Sequence, residues 1–245
     1  MATYLIGGGW LPRAAPLVYG PFLADAGTDP AIACVVLDEG DGATEFERWA
    51  SVLRGLAPCR PVAVLVPLGG RLDVASLADT DAVLVCGGLT PGYADALVPS
   101  AADLRAWLGR RGIPYAGFSA GSAVAASNAV VGGWICDGVQ VCPEDSAEDL
   151  DEVTVRDGLG LVPFTVDVHA AQWGTLPRLI AAVDIRAVGH GVAIDENTAV
   201  IVDGNEATVA GLGRVYSVRA DGQAMLLHSY RSGDRFSVAS GQGDD

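Results

Sequence analysis

Apolar and polar positions alternate along the first half of the chain in blocks rather than residue by residue. Each apolar block is a continuous run, as expected for a strand buried on both faces of a parallel sheet. The predicted strands are Tyr4–Gly7, Ala31–Leu37, Val62–Pro67, Ala82–Cys86 and Pro114–Phe118. Amphipathic segments between them predict helices near Ala43–Leu56 and Ala101–Arg111. This alternation predicts an α/β fold with a mostly parallel central sheet flanked by helices.

The pattern changes in the second half of the chain. A buried strand at Val162–Val168 is followed by a helix near Thr175–Val183. From Ala187 to Val238, short strands separated by turns predict an antiparallel meander at one edge of the sheet. No linker divides the chain, so residues 1–240 are expected to form one α/β domain, and residues 241–245 a disordered tail.

An acidic stretch interrupts this pattern. Six of the nine residues from Glu144 to Glu152 are acidic. A block of like charges is usually a solvated loop. The alternative is a lid or selectivity loop beside a functional site, where it would disfavour anionic substrates.

Charge and hydropathy exclude two classes of partner. The net charge of −15 argues against nucleic acid, because phosphate contacts need clustered basic residues. No apolar run reaches the roughly 18–20 residues of a membrane span, and the N-terminal residues lack the basic segment of a signal peptide. We therefore expect a cytoplasmic protein without a membrane partner.

The types of basic residue exclude several catalytic mechanisms. All fifteen are arginine, which excludes a Schiff-base lysine, a Walker-type lysine and a Ser–Lys dyad. The five cysteines are an odd set without CxxC spacing, so no zinc site is apparent. We expect the protein to need neither a metal nor a cofactor.

One pentapeptide suggests a catalytic nucleophile. Gly117-Phe118-Ser119-Ala120-Gly121 follows a predicted strand and precedes a run of small residues. A Gly-x-Ser-x-Gly sequence between a strand and a helix is typical of a nucleophile elbow, which exposes the serine at the sheet edge. The N–H of Ala120, at the start of the helix, could then stabilise an oxyanion.

A serine nucleophile needs a base, and the chain has three histidines. His169 directly follows the strand at Val162–Val168, which would place it at the same edge as Ser119. His190 lies in a turn-like Gly-His-Gly sequence, and His228 lies in a late strand. His169 is therefore the preferred base.

The acidic partner of the histidine is less defined by position. Glu196 follows a short apolar run and would be free to reach inward if Asp195 and Asn197 form local turn hydrogen bonds. Asp137 is an alternative. Asp167 is another, because it would share a strand face with His169. Spacing alone does not choose among them.

The order of serine, histidine and glutamate resembles that of the S51 serine peptidases, which include peptidase E and cyanophycinase. The resemblance covers most of the chain. The matching segments are Leu5-Ile6-Gly7-Gly8-Gly9, Gly87-Gly88, Ser119-Ala120-Gly121, Asp167-Val168-His169 and the run from Val192 to Ala199. It implies a class I glutamine amidotransferase-like, flavodoxin-like fold. It also implies a triad of Ser119, His169 and Glu196, with the N–H groups of Gly88 and Ala120 as the oxyanion hole.

Departures from that family concern the substrate. After the histidine, the cyanophycinase branch carries arginines that help to bind an acidic group of the substrate. Here Trp173 and Thr175 replace two of them and Arg178 remains. The family's Gly-Gly turn is followed here by Leu89-Thr90 rather than by asparagine. Loss of two guanidinium groups would weaken carboxylate recognition.

These comparisons give a functional hypothesis. The sequence predicts a serine peptidase acting on short peptides or isopeptides, with altered acidic-residue specificity. Its predicted substrate-binding residues are Thr90, Asp167, Gln172, Trp173 and Arg178. The alternatives are an esterase or amidase, an amidotransferase-like enzyme using Cys86 or Cys136, and a non-catalytic binding protein that retains the triad. The oligomeric state is open, and a homodimer is one alternative.

Overall fold

A computed structural model describes residues 1–239, so the predicted tail at residues 241–245 lies outside the described residues. The strands in this range are β1 (Thr3–Ile6), β2 (Ala31–Asp38), β3 (Arg60–Pro67), β4 (Ala82–Val85), β5 (Tyr115–Phe118), β6 (Asn128–Gly132), β7 (Ile135–Cys136), β8 (Val139–Gln140), β9 (Thr154–Asp157), β10 (Thr165–Val168), β11 (His190–Ile194), β12 (Thr198–Asp203), β13 (Glu206–Gly211), β14 (Arg214–Asp221), β15 (Ala224–Arg231) and β16 (Arg235–Ser237). The α-helices are α1 (Ala15–Ala26), α2 (Gly42–Leu56), α3 (Thr90–Leu97), α4 (Ala101–Arg111), α5 (Ala120–Val124) and α6 (Leu176–Asp184).

The main sheet has eight strands in the order β16-β13-β12-β1-β5-β4-β2-β3. Its five N-terminal strands are parallel, as the continuous apolar runs predict. Successive side chains of a strand point to opposite faces, and two cores result. Leu5 packs into one core, whereas Tyr4 and Ile6 pack into the other. The prediction of a mostly parallel sheet is confirmed, and β1, β2, β4 and β5 are buried on both faces. β3 differs, because it lies at the edge of the sheet, and of its residues only Val64 and Val66 are buried.

The C-terminal strands are antiparallel, as predicted, but they divide between two sheets instead of lying at one edge. β12, β13 and β16 extend the main sheet beyond β1. β11, β14 and β15 form a second sheet with β10, in the order β10-β11-β14-β15. The division occurs because β11 pairs in parallel with β10, with Val168 opposite Ile194.

This division brings the ends of three strands together. The carboxyl ends of β10 and β11 meet the carboxyl end of β1 at Gly7. A β-carbon added at Gly7 would lie 2.3 Å from the carbonyl oxygen of Asp195, so the contact requires glycine. Because β5 is the parallel neighbour of β1, the residue that follows Phe118 reaches the same place. The two sheets thus share one seam, and the candidate site lies there.

The sequence pattern did not predict two helices, α1 and α3. Both contain residues that normally interrupt helices: Pro16, Gly20 and Pro21 in α1, and Pro91 and Gly92 in α3. Pro16 and Pro91 lie in the first turn, where a missing N–H costs no helical hydrogen bond.

Within residues 1–239, no helix is both long enough and apolar enough to span a bilayer.

Candidate active site

Ser119 occupies a sharp turn between β5 and α5. Its φ of 51° and ψ of −113° are strained values for a residue with a side chain, and such strain costs of order 1–3 kcal/mol. A β-carbon added at Gly117 would lie 2.4 Å from the carbonyl carbon of Gly121, and one at Gly121 would lie 2.2 Å from the carbonyl oxygen of Val85. Both glycines of the pentapeptide are therefore required by close backbone packing, as a nucleophile elbow needs.

His169 follows β10 directly, and its ring points at the serine. Its Nε2 lies 2.8 Å from Oγ of Ser119, and its Nδ1 lies 2.9 Å from Oε1 of Glu196. The indole of Trp173 stacks on the imidazole with ring centroids 3.8 Å apart and an interplanar angle of 7°. A β-carbon at Gly8 would lie 2.1 Å from Cε1 of the imidazole. Hydrogen bonds at both nitrogens, Trp173 and Gly8 together hold the ring in one orientation.

Glu196 lies in the loop between β11 and β12, and its neighbours hold it in place. Its backbone N–H donates to Oε1 of Gln172 at 2.8 Å. Asp195 accepts hydrogen bonds from the backbone N–H groups of Ala171 and Arg214, at 3.0 and 2.8 Å. Asp195 is therefore held by two segments remote in sequence rather than by the local turn contacts expected of it, and Glu196 is the carboxylate that reaches the histidine.

Consecutive carbonyls at the end of β1 receive hydrogen bonds from all three of these segments. The N–H of Ser119 donates to Ile6, that of His169 to Gly7, and that of Asn197 to Gly8, at 2.9, 3.0 and 2.6 Å. All three donors have positive φ values, of 51°, 55° and 59°. Hydrogen bonds to the carbonyls of Ile6, Gly7 and Gly8 thus offset the backbone strain of all three segments.

The electrostatics favour a neutral imidazole that can accept a proton. Burial lowers the pKa of His169, and the hydrogen bond to Glu196 opposes this effect without cancelling it. Because the Glu196 carboxylate accepts at Nδ1, the ring proton lies on Nδ1, and Nε2 is left to accept from the serine hydroxyl.

Two backbone N–H groups lie beside the serine. Ala120 follows it as the first residue of α5, and Gly87 packs so closely that its β-carbon would lie 3.4 Å from that of Ser119. Gly88, the next residue, lines the same cavity as the serine. In the part of the chain that the structure describes, neither the Gly88 nor the Ala120 N–H donates to another protein group. Both are available to a ligand oxygen.

The structure does not bring Asp167 and Arg178 to the cavity. Both are buried and form a two-pronged ion pair, with Nε to Oδ2 at 2.9 Å and Nη2 to Oδ1 at 2.7 Å. Arg178 also donates to the carbonyl oxygen of Ser146 at 2.6 Å. The two residues thus support the acidic loop from below.

The other sequence-predicted residues are found in different positions. Thr90 is buried, and its N–H donates to Oε2 of Glu148 at 2.9 Å. Gln172 supports the Glu196 loop. Trp173 lines the cavity over the histidine. Asp137 lies in the turn between β7 and β8, away from the triad.

Ser119 and His169 open into a cavity of about 940 Å³. The acidic loop lines it from Glu144 to Asp151, and Trp10, Glu39 and Arg48 line it as well. The acidic stretch is therefore a wall of the site rather than a remote solvated loop.

Comparison with known proteins identifies the family of the chain. The model of peptidase family S51 matches residues 71–210, more than half of the chain. The chain belongs to peptidase family S51. Membership of this family supports a serine peptidase, and hence a hydrolase. No curated protein matches this S51 chain in sequence.

Solved structures show the same fold. A peptidase from an acI-B1 Actinobacterium superposes with a TM-score of 0.69 at 18% identity, covering 96% of each chain. A candidate peptidase E protein from Listeria monocytogenes EGD-e superposes with a TM-score of 0.55 at 14% identity, covering 86% of this S51 chain and 98% of its own.

Sequence reasoning missed several residues that surround Ser119, His169 and Glu196 of this S51 protein. Gly8 was noticed only as part of a matching glycine run, although its contact with the imidazole explains that run. Trp10, Glu39 and Arg48 carried no signal, because they come from loops and a helix remote in sequence from the serine. Only the fold brings them to the cavity.

Proposed function

We propose that this S51 protein is a serine peptidase that hydrolyses short peptides or isopeptides through a Ser-His-Glu triad and an acyl-enzyme. The observation that carries the proposal is the continuous chain from Ser119 Oγ to His169 Nε2 at 2.8 Å and from His169 Nδ1 to Glu196 Oε1 at 2.9 Å. A nucleophile hydrogen-bonded to a base, with the base oriented by a third group, is the arrangement that acyl transfer requires.

In the first step, Ser119 Oγ attacks the carbonyl carbon of the scissile amide, and His169 Nε2 takes the hydroxyl proton. The Glu196 carboxylate stabilises the imidazolium that forms. His169 then gives the proton to the leaving amine, the C–N bond breaks, and an ester to Ser119 remains. Water attacks this ester with His169 again acting as base, which releases the acid and restores the serine.

The negative charge of the tetrahedral intermediates needs two donors, and the N–H groups of Gly88 and Ala120 are the available pair. Losing one such donor typically costs about 3 kcal/mol of transition-state stabilisation. Trp173 has a supporting role, because its stacked indole covers one face of the imidazole. The same indole limits access of water to the ring.

The carboxylate specificity of related enzymes does not fit this cavity well. Arg178, the arginine retained after the histidine, is already paired with Asp167 in the interior. Neither Trp173 nor Thr175 can replace a guanidinium group. We therefore propose that the enzyme does not depend on an acidic residue in its substrate.

The cysteine-based alternative receives no support from the geometry. Cys86 is fully buried, does not line the cavity, and has a pKa raised well above its ordinary value by burial. A thiol in that state is a poor nucleophile. Cys136 also does not line the cavity.

Labelling with a fluorophosphonate tests the proposal without knowledge of the substrate. Mass spectrometry should locate the label on Ser119. Ser119→Ala should abolish labelling and lower hydrolysis of any substrate from a dipeptide and isodipeptide library by roughly 10⁴–10⁶-fold. Ser51→Ala, which changes an exposed serine on α2, should leave both unchanged. A label on a cysteine, or full activity of Ser119→Ala, would contradict the proposal.

A further inference from the structure

Two carboxylates from different loops flank the turn that carries the proposed oxyanion donor. Oε2 of Glu39, which follows β2, lies 3.9 Å from the position that a β-carbon would take at Gly88. Oε2 of Glu148, from the acidic loop, accepts the N–H of Thr90 at 2.9 Å, two residues further along the same turn. Both carboxylates line the reaction cavity beside Ser119. Negative charge is therefore concentrated next to the place where a scissile carbonyl would bind.

The cavity holds little positive charge to balance them. Its lining includes seven acidic side chains but only one arginine, Arg48. That guanidinium is engaged, since it lies 3.7 Å from the ring centroid of Trp10 and 3.6 Å from a carboxylate oxygen of Glu45. Among residues 1–239, neither Glu39 nor Glu148 lies within 4.0 Å of a basic group.

The lining is also rich in indole rings. Trp10, Trp49, Trp134 and Trp173 all contribute to it. Indole faces attract organic cations, and the stacking of Arg48 on Trp10 is an example within this cavity. Carboxylates and indoles together suit an alkylammonium or guanidinium group and disfavour a carboxylate.

We propose that the enzyme selects substrates carrying a cationic group next to the scissile amide, and that Glu39 and Glu148 bind this group. The proposal rests on the proposed function, because it concerns the same cavity. The cation is either a free α-ammonium group or a basic side chain, since both present the same N–H donors to the two carboxylates.

Glu148 is the better organised of the two carboxylates. The hydrogen bond from Thr90 holds it, and the loop that carries it is anchored below by Arg178 through the carbonyl oxygen of Ser146. A carboxylate that is already oriented loses little conformational entropy when a ligand binds. Its partial burial strengthens its attraction to a cation by excluding water.

The test uses aminoalkylphosphonate diphenyl esters, which phosphonylate an active serine and carry a chosen side chain. The probes carry a lysine-like, a norleucine-like or a glutamate-like side chain. Each of the three is made with a free and with an acetylated α-amine, which gives six probes. The second-order rate of labelling at Ser119 is measured for each. The cationic probes should react about 10- to 100-fold faster than their neutral counterparts, as expected for a charge-assisted hydrogen bond, and the acidic probe should be the slowest.

The six probes also distinguish the two sources of charge. If probes with a free α-amine react faster than their acetylated counterparts, the site binds an α-ammonium group. If the lysine-like probes react faster than the norleucine-like probes whether or not the α-amine is acetylated, the site binds a basic side chain. Glu148→Gln keeps an acceptor for Thr90 and should lower the ratio of cationic to neutral rates, and Glu39→Gln should do the same. Asp79→Asn, an exposed acidic position outside the cavity, should leave the ratio unchanged.

Equal rates for cationic and neutral probes, or a ratio unaffected by both glutamine variants, would overturn the inference. The ratio is taken within one protein preparation, so a partly unfolded fraction cancels. Failure of the proposed function is a separate result. In that case fluorophosphonate itself would not label Ser119, whereas a wrong specificity would leave that labelling intact.

Discussion

Gly8→Ala should disable the proposed triad although none of its three residues is substituted. The added methyl carbon would lie 2.1 Å from Cε1, 2.6 Å from Nδ1 and 2.9 Å from Nε2 of His169. Ordinary carbon contacts begin near 3.5 Å, so the ring must move by roughly 1.4 Å. Such a shift breaks the 2.8 Å contact with Ser119 Oγ. A displacement of about 1 Å in a catalytic group can cost roughly 100-fold in rate.

We therefore expect the second-order rate of fluorophosphonate labelling at Ser119 to fall by about 10²–10³-fold. A small loss of stability should accompany this fall, because φ at Gly8 is 109°, which an L residue rarely adopts. Gly20→Ala is the matched control, since nothing lies within 4 Å of its added methyl group, and it should label at the wild-type rate. A folded Gly8→Ala protein that labels within about threefold of wild type would refute the idea that Gly8 positions the imidazole.

Three further predictions concern the histidines and their partners. Glu196→Gln should slow labelling of Ser119 by up to about 10⁴-fold, because the imidazolium loses its counter-charge and the ring its tautomer; a fall below tenfold would contradict this role. The pKa of His169 is lowered mainly by burial, so the acid limb of the labelling rate should lie below pH 6.5. Trp173→Ala should move that limb to higher pH by admitting water, whereas Trp173→Phe, which keeps a stacked ring, should not; identical limbs in all three proteins would exclude such a role for the indole. Burial and the nearby Arg219 lower the pKa of His190 to about 4 in the folded protein. Below the ordinary pKa of 6.5 the unfolded chain protonates this histidine while the folded protein does not, so stability is lost as the pH falls from 6.5 towards 4. The free energy of unfolding measured with urea should drop by about 1–3 kcal/mol more in wild type than in His190→Gln over that interval, and parallel curves would contradict the assignment.

Much of the parallel sheet could be predicted from sequence because each of its strands is a continuous apolar run, whether it is buried on both faces or, like β3, lies at the edge. The five apolar runs became β1 to β5 with boundaries shifted by one or two residues. The helix predicted near Ala101–Arg111 has these limits in the structure, where Gly112 ends it in the left-handed conformation. The division of the C-terminal strands was not predictable in this way, because short alternating strands carry no information about which sheet they join.

Some residues of the candidate site could likewise be predicted from the sequence, and others could not. Ser119 and His169 were predictable because each directly follows a strand, and parallel strands bring their carboxyl ends to one edge. Glu196 was not separable from Asp137 and Asp167 by spacing. Only the geometry removes Asp167, which is held by Arg178 in the interior. Residues that act by contact, such as Trp10 and Glu39, had no local pattern to reveal them.

The glycine run at the end of β1 organises the site more than its position as a strand end suggests. The carbonyls of Ile6, Gly7 and Gly8 accept from the segments that carry the serine, the histidine and the glutamate, in that order. Consecutive Cα atoms lie about 3.8 Å apart, so the spacing of the three segments follows from the covalent geometry of one short stretch of chain. Packing between the two sheets sets it only indirectly. A core substitution in either sheet should therefore lower the free energy of unfolding before it changes the labelling rate of Ser119, whereas a side chain at Gly7 or Gly8 should affect both at once.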